Sequence, residues 1–115
     1  MNLDRKIFKP LQNSDNGEVG DETRFYYHQD GQLIWAEYDG RDVKKGHLIG
    51  KQLADGSLDF VYHHINRNGE IKIGKCRSVI EILVDGRYKL MESWRWLCDD
   101  MSCGESELVE VMRNN

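Results

Sequence analysis

Three clusters of side chains in this sequence could do chemistry. Glu92-Ser93-Trp94-Arg95-Trp96 carries a carboxylate and two indoles, Lys75-Cys76-Arg77 carries two bases around a thiol, and Tyr62-His63-His64 carries a phenol and two imidazoles. Bases hold anionic groups, and Arg does so with a planar fork of donors. Indole and phenol rings supply the apolar walls of a small-molecule pocket, against which a few polar groups fix orientation. Histidine and glutamate together can also hold zinc or iron.

Whether these groups meet depends on the elements that carry them. The stretch Leu58 to Ser78 contains two strand-like runs around Asn68-Gly69, a strong hairpin signal. Similar signals recur at Asp30-Gly31, Asp39-Gly40, Asp55-Gly56 and Asp85-Gly86. They divide the chain into short strands: Ile7 to Leu11, Thr23 to Gln29, Gln32 to Tyr38 and Gly46 to Leu53, then the runs on each side of Asn68-Gly69 and of Asp85-Gly86. Glu105 to Met112 reads as an eighth strand or a short helix, since Glu, Leu and Met favour helices. Gln12 to Glu22, Gly40 to Lys44 and Leu97 to Gly104 read as connections. No long segment shows helical periodicity. The fold class expected is all-β: an antiparallel up-and-down meander of about eight strands, one domain over residues 1–115. Closure into a barrel would remove its edges.

Two-residue turns at the Asp-Gly and Asn-Gly pairs predict the register. Arg24 would oppose Glu37, Tyr26 Trp35, and Tyr27 Ile34. Ile49 and Lys75 would flank Tyr62, His47 would oppose His64, and Phe60 and Trp94 would flank Arg77, with Trp96 beside Lys75. Strand alternation then collects His47, Ile49, Phe60, Tyr62, His64, Ile73, Lys75, Arg77, Glu92, Trp94 and Trp96 on one face. Its aromatic mass places it inside the barrel. A bulge between Ser78 and Leu83 would reverse the later strands.

An interior with Lys75, Arg77, Glu92 and His64 is too polar for a plain core, because buried charges need partners. A small polar or anionic ligand would supply one, with Tyr62, His64, Lys75, Arg77, Glu92, Trp94 and Trp96 as its binding residues. The alternative is that these side chains lie at the rim or outside, with Arg77 stacked on Trp94. His47, His64 and Glu92 could approach a metal, but no compact ligand spacing supports this. No metal and no cofactor is expected. Cys76 reads as a buried structural thiol. Cys98 and Cys103 lack the spacing of a redox motif, and an odd cysteine count argues against a disulfide framework.

Composition limits the function classes. The chain has 115 residues, with 39% hydrophobic and 31% charged, enough for one modest core. Its net charge of −4 leaves no basic footprint for nucleic acid. No apolar run is long enough for a membrane helix, and the first residues lack an apolar signal core. A cytoplasmic protein without nucleic-acid or membrane partners is expected. A homodimer through a strand edge is a further option.

The order of several pieces resembles a family of small bacterial proteins of uncharacterised function. The pieces are Asn16-Gly17-Glu18-Val19, Glu22-Thr23, Tyr38-Asp39-Gly40, Gly46-His47-Leu48-Ile49-Gly50, Tyr62-His63-His64-Ile65-Asn66, Gly74-Lys75-Cys76-Arg77-Ser78, Asp85-Gly86-Arg87 and Glu92-Ser93-Trp94-Arg95-Trp96. The resemblance covers nearly the whole chain. It implies a calycin-like barrel, of the lipocalin or avidin kind. Members are sometimes labelled N-acetylglutamate synthase. Under that label Lys75 and Arg77 would hold glutamate carboxylates, and no catalytic residue is carried over.

Overall fold

The computed structural model describes residues 1–112. Eight strands follow in order: β1 (Ile7–Asn13), β2 (Arg24–Asp30), β3 (Leu33–Gly40), β4 (Val43–Gln52), β5 (Leu58–Asn66), β6 (Ile71–Ile82), β7 (Tyr88–Trp96) and β8 (Cys103–Glu110). Each is hydrogen-bonded antiparallel to the next, and β8 returns to β1, so the sheet closes into a barrel. The eighth element is therefore a strand. Its pairing on both sides, with Leu90↔Leu108 towards β7 and Pro10↔Leu108 towards β1, overrides the helix propensity of its residues. Closure leaves no free edge among the described residues, which removes the strand-edge route to a dimer.

Three hairpins share one loop design. Ala54-Asp55-Gly56, Arg67-Asn68-Gly69 and Val84-Asp85-Gly86 are three-residue connections, each ending in a glycine with φ of 80° to 90°. Each is closed by a pair of backbone bonds, such as Leu53 N–H to Ser57 O (2.8 Å) and Gly56 N–H to Leu53 O (2.9 Å). This is a type I turn followed by a left-handed residue, a position that suits glycine. Asp55 and Asp85 reinforce their loops by accepting from the backbone N–H of Ser57 and Arg87.

The extra loop residue changes the register. An odd-length loop pairs even-numbered with even-numbered positions, so Tyr62 opposes Leu48 and Gly74, not Ile49 and Lys75. Trp94 opposes Cys76, and Trp96 opposes Gly74. The predicted pairs around Asp55-Gly56, Asn68-Gly69 and Asp85-Gly86 are thus off by one. On β4 and β6 this reverses the faces: His47, Ile49, Ile73, Lys75 and Arg77 point outward. On β7 two successive errors cancel, and Glu92, Trp94 and Trp96 remain inside, as do Phe60, Tyr62 and His64 on β5. The β2–β3 turn is centred on Gly31-Gln32 instead of Asp30-Gly31. Arg24 therefore opposes Asp39, Tyr26 opposes Glu37 and Tyr27 opposes Ala36.

The two ends of the barrel differ. Phe8, Ile34, Leu58, Leu90 and Leu108 are fully buried at the end that carries the β2–β3, β4–β5 and β6–β7 connections. Tyr38, His64, Asn66, Trp94, Trp96 and Ser106 are buried towards the opposite end. The long connection after β1 folds there.

Candidate functional site

Large rings fit inside this narrow barrel because glycines face them across the strands. Tyr62 is paired with Gly74, Trp94 with Gly104, Tyr38 with Gly46, and Phe60 with Gly50. A Cβ on Gly74 would lie 2.2 Å from Tyr62 Cζ, and one on Gly104 would lie 2.5 Å from Trp94 Cζ2. The Tyr38, Tyr62 and Trp94 rings occupy the space that a side chain on the neighbouring strand would need. The rings then pack edge to face, Trp94 with Trp96 at 5.6 Å and Tyr62 with Trp96 at 5.7 Å between centroids. Such pairs add stability beyond the area they bury.

Hydrogen bonds orient the rings. Trp94 Nε1–H donates to Ser106 Oγ at 2.8 Å, and the Ser106 hydroxyl donates to Asn13 Oδ1. Asn13 Nδ2 donates in turn to Val19 O at 3.1 Å. Trp96 Nε1–H donates to Asn16 O at 3.1 Å. The β1–β2 connection is thereby folded over the mouth of the barrel.

Glu18 anchors that connection. Its Oε1 is 2.8 Å from His64 Nε2, and its Oε2 accepts from Asn66 Nδ2 at 3.1 Å. His64 Nδ1 is 2.9 Å from Tyr38 Oη. Burial is the largest influence on the imidazole and lowers its pKa, partly countered by Glu18. A neutral ring can carry its proton on Nε2 towards Glu18 and accept from the Tyr38 hydroxyl at Nδ1, which satisfies both nitrogens.

Behind the lid lies a cavity of about 50 Å³, lined by Glu18, Tyr38, Leu48, Phe60, Tyr62, His64, Cys76, Glu92, Trp94 and Trp96 among others. It can hold a few waters or a small group and is far below the ~300–1,000 Å³ typical of a drug-sized site. Glu92 faces inward from β7, between Ser78 of β6 and Ser106 of β8. Among the described residues no hydrogen bond reaches its carboxyl, and burial alone raises its pKa from 4.5 to about 8. Two buried hydroxyls lack partners among the described residues, Tyr27 Oη and Ser78 Oγ. Burial pushes the Tyr27, Tyr38 and Tyr62 phenols and the Cys76 thiol up, so these groups are neutral at physiological pH.

Of the residues singled out from the sequence, Tyr62, His64, Glu92, Trp94 and Trp96 are brought together around the cavity. Lys75 and Arg77 are not. Both are exposed on the outer face of β6, alternating with buried Gly74, Cys76 and Ser78. The proposed carboxylate clamp is thus outside the barrel, and Arg77 cannot stack on the inward Trp94. His47 also faces outward, where its ring lies 5.7 Å from that of His63, so it does not join His64 and Glu92 in a metal site. The three cysteines are free. Glu18 is the functional-site residue that sequence reasoning missed. It lies within the Asn16-Gly17-Glu18-Val19 piece of the resemblance, but a polar loop carries no periodicity to show that it folds back. Asn13 and Ser106, at the end of β1 and on β8, were missed too, because their link to Trp94 depends on barrel closure.

Residues 1–111 match the family model described as Avidin-like protein. No curated protein matches the chain, and no solved structure does. A closed antiparallel barrel of eight strands, an interior walled by aromatic rings, and a match over nearly the full length agree with one another: the chain belongs to the avidin-like protein family.

Proposed function

We propose that this protein binds a small polar molecule inside the barrel, at the end covered by the β1–β2 connection. One observation carries the reading. The Glu92 carboxyl faces a cavity walled by Trp94, Trp96 and Tyr62, and among the described residues no hydrogen bond reaches it. A fully buried polar group left unsatisfied costs about 1–3 kcal/mol, a partly buried one less, and a ligand that bonds it would relieve that cost. The family match supports small-ligand binding. An anionic ligand loses its support, because the two bases expected to hold it project outward. An N-acetylglutamate synthase activity gains none, because its expected carboxylate clamp lies on the outer surface.

The test uses the indoles themselves. Trp35 lies on the outer side of the barrel, stacked on His28 at 5.3 Å. Trp35→Phe leaves Trp94 and Trp96 as the only indoles. A saturable change in their emission on titration with small polar compounds, or a molecule retained in native mass spectrometry, is the expected result. An empty protein whose emission answers to no compound at millimolar concentration refutes the reading.

A second reading rests on the outer face of β4–β6. Ile49, Val61 and Ile73 are 46%, 51% and 44% exposed there, and Ile49 and Val61 are direct cross-strand partners. Burying such a row between two copies would be favourable. Light scattering decides it: a monomer across micromolar concentrations removes the dimer.

A further inference from the structure

We infer that the ligand is a small organic ammonium ion, with its charge against the Glu92 carboxylate and its hydrocarbon surface against Trp94, Trp96 and Tyr62. The inference rests on the reading that the barrel interior is a binding site and names what that site selects.

Charge is the first argument. The titratable groups that face Glu92 across the interior are Tyr27 on β2, Tyr38 on β3, Tyr62 and His64 on β5, Cys76 on β6 and, from the lid, Glu18. None is cationic at neutral pH: burial holds the phenols and the thiol protonated and the imidazole neutral. Lys72, at the rim, is already paired with Asp99. An anion entering this space would meet two carboxyl groups and, among the described residues, no free base. A cation would meet a carboxylate with unused acceptor capacity.

The walls are the second argument. Trp94 is the next inward residue after Glu92 on β7, and its indole packs against that of Trp96, which packs against Tyr62. Indole and phenol faces attract cations, most strongly where water is excluded. Among the described residues no group of three or more His, Cys, Asp or Glu side chains is placed to hold a lone metal ion. The cavity of about 50 Å³ admits only a small group.

Binding is linked to a proton. The free carboxyl is protonated at neutral pH, since burial raises its pKa to about 8. The ammonium ion enters as a cation, Glu92 releases its proton to solvent, and the carboxylate pairs with the bound charge. Affinity should therefore rise about tenfold per pH unit below 8 and level off above it.

The full chain carrying Trp35→Phe is titrated with ethylammonium and tetramethylammonium, and in parallel with tert-butanol as a neutral shape and propionate as an anion. The expected result is saturable binding of at least one ammonium ion, the stated pH dependence, and at least a tenfold loss of affinity in Glu92→Gln. Trp96→Leu should weaken ammonium binding more than any binding of tert-butanol. Urea unfolding establishes that both variants fold. Ammonium binding that is unchanged in Glu92→Gln, or binding of tert-butanol or propionate without either ammonium ion, overturns the inference and leaves a binding barrel of another selectivity. Silence from all four probes also overturns it; the broader reading falls only if native mass spectrometry and the compound screen are empty as well.

Discussion

Replacing Glu92 by glutamine should stabilise the protein at neutral pH and remove most of one component of its pH dependence. In the folded barrel the carboxyl keeps its proton up to about pH 8, whereas its ordinary value is 4.5. Between those values the folded state binds more protons than the unfolded one, so stability falls as pH rises. The penalty is absent below 4.5 and complete above 8. At ~1.4 kcal/mol per pH unit, it reaches about 3 kcal/mol at pH 7 and about 5 kcal/mol once the group is fully ionised. Glutamine has the same shape and does not titrate. Urea unfolding followed by tryptophan emission gives both stabilities by linear extrapolation. The glutamine variant should gain on the wild type by about 3 kcal/mol between pH 5 and 7.5. Other titrations are common to both proteins and cancel in the difference. A gap that stays constant within about 0.5 kcal/mol over this range, the spread expected of an inert substitution, would refute the placement of an unpaired acid inside the barrel.

Glu18→Ala removes the carboxylate that ties the lid to His64 and Asn66. It should cost about 1–3 kcal/mol and make Trp96 more accessible to acrylamide, measured as a steeper quenching slope. Gly104→Ala places a methyl group 2.5 Å from the Trp94 ring, and urea unfolding should show a loss of about 1–3 kcal/mol from overpacking. Arg77→Ala changes an outward side chain on β6. Its unfolding free energy should stay within about 0.5 kcal/mol of wild type, and any ligand found for the cavity should bind with unaltered affinity.

Much of the architecture was legible from turn chemistry and alternation. The Asp-Gly and Asn-Gly pairs mark five of the connections, and the strands between them fall within a few residues of their observed limits. What the pairs do not announce is loop length. Asn68-Gly69 reads equally well as a two-residue turn or as the last two residues of a three-residue loop, and the difference reverses a whole strand. That one ambiguity put Lys75 and Arg77 inside and Gly74 and Cys76 outside. The opposition of glycine and aromatic residues, Gly74 to Tyr62 and Gly104 to Trp94, becomes visible only once the register is right. Glu18 was illegible for a different reason: its position depends on hydrogen bonds to β5, far away in sequence, and loop composition does not encode them.

The seam of the cylinder lies between the first and last strands, with Phe8 paired to Glu110 and Lys6 bonded to Glu110 at 3.0 Å. Every other pairing joins neighbours along the chain. Without the final strand the first seven make an open, curling ribbon with β1 and β7 as bare margins. Trp94 gains its Ser106 partner and its Gly104 neighbour only when the final strand arrives. A chain cut before residue 103 would keep two unpaired borders and an unfinished chamber, and should aggregate instead of closing.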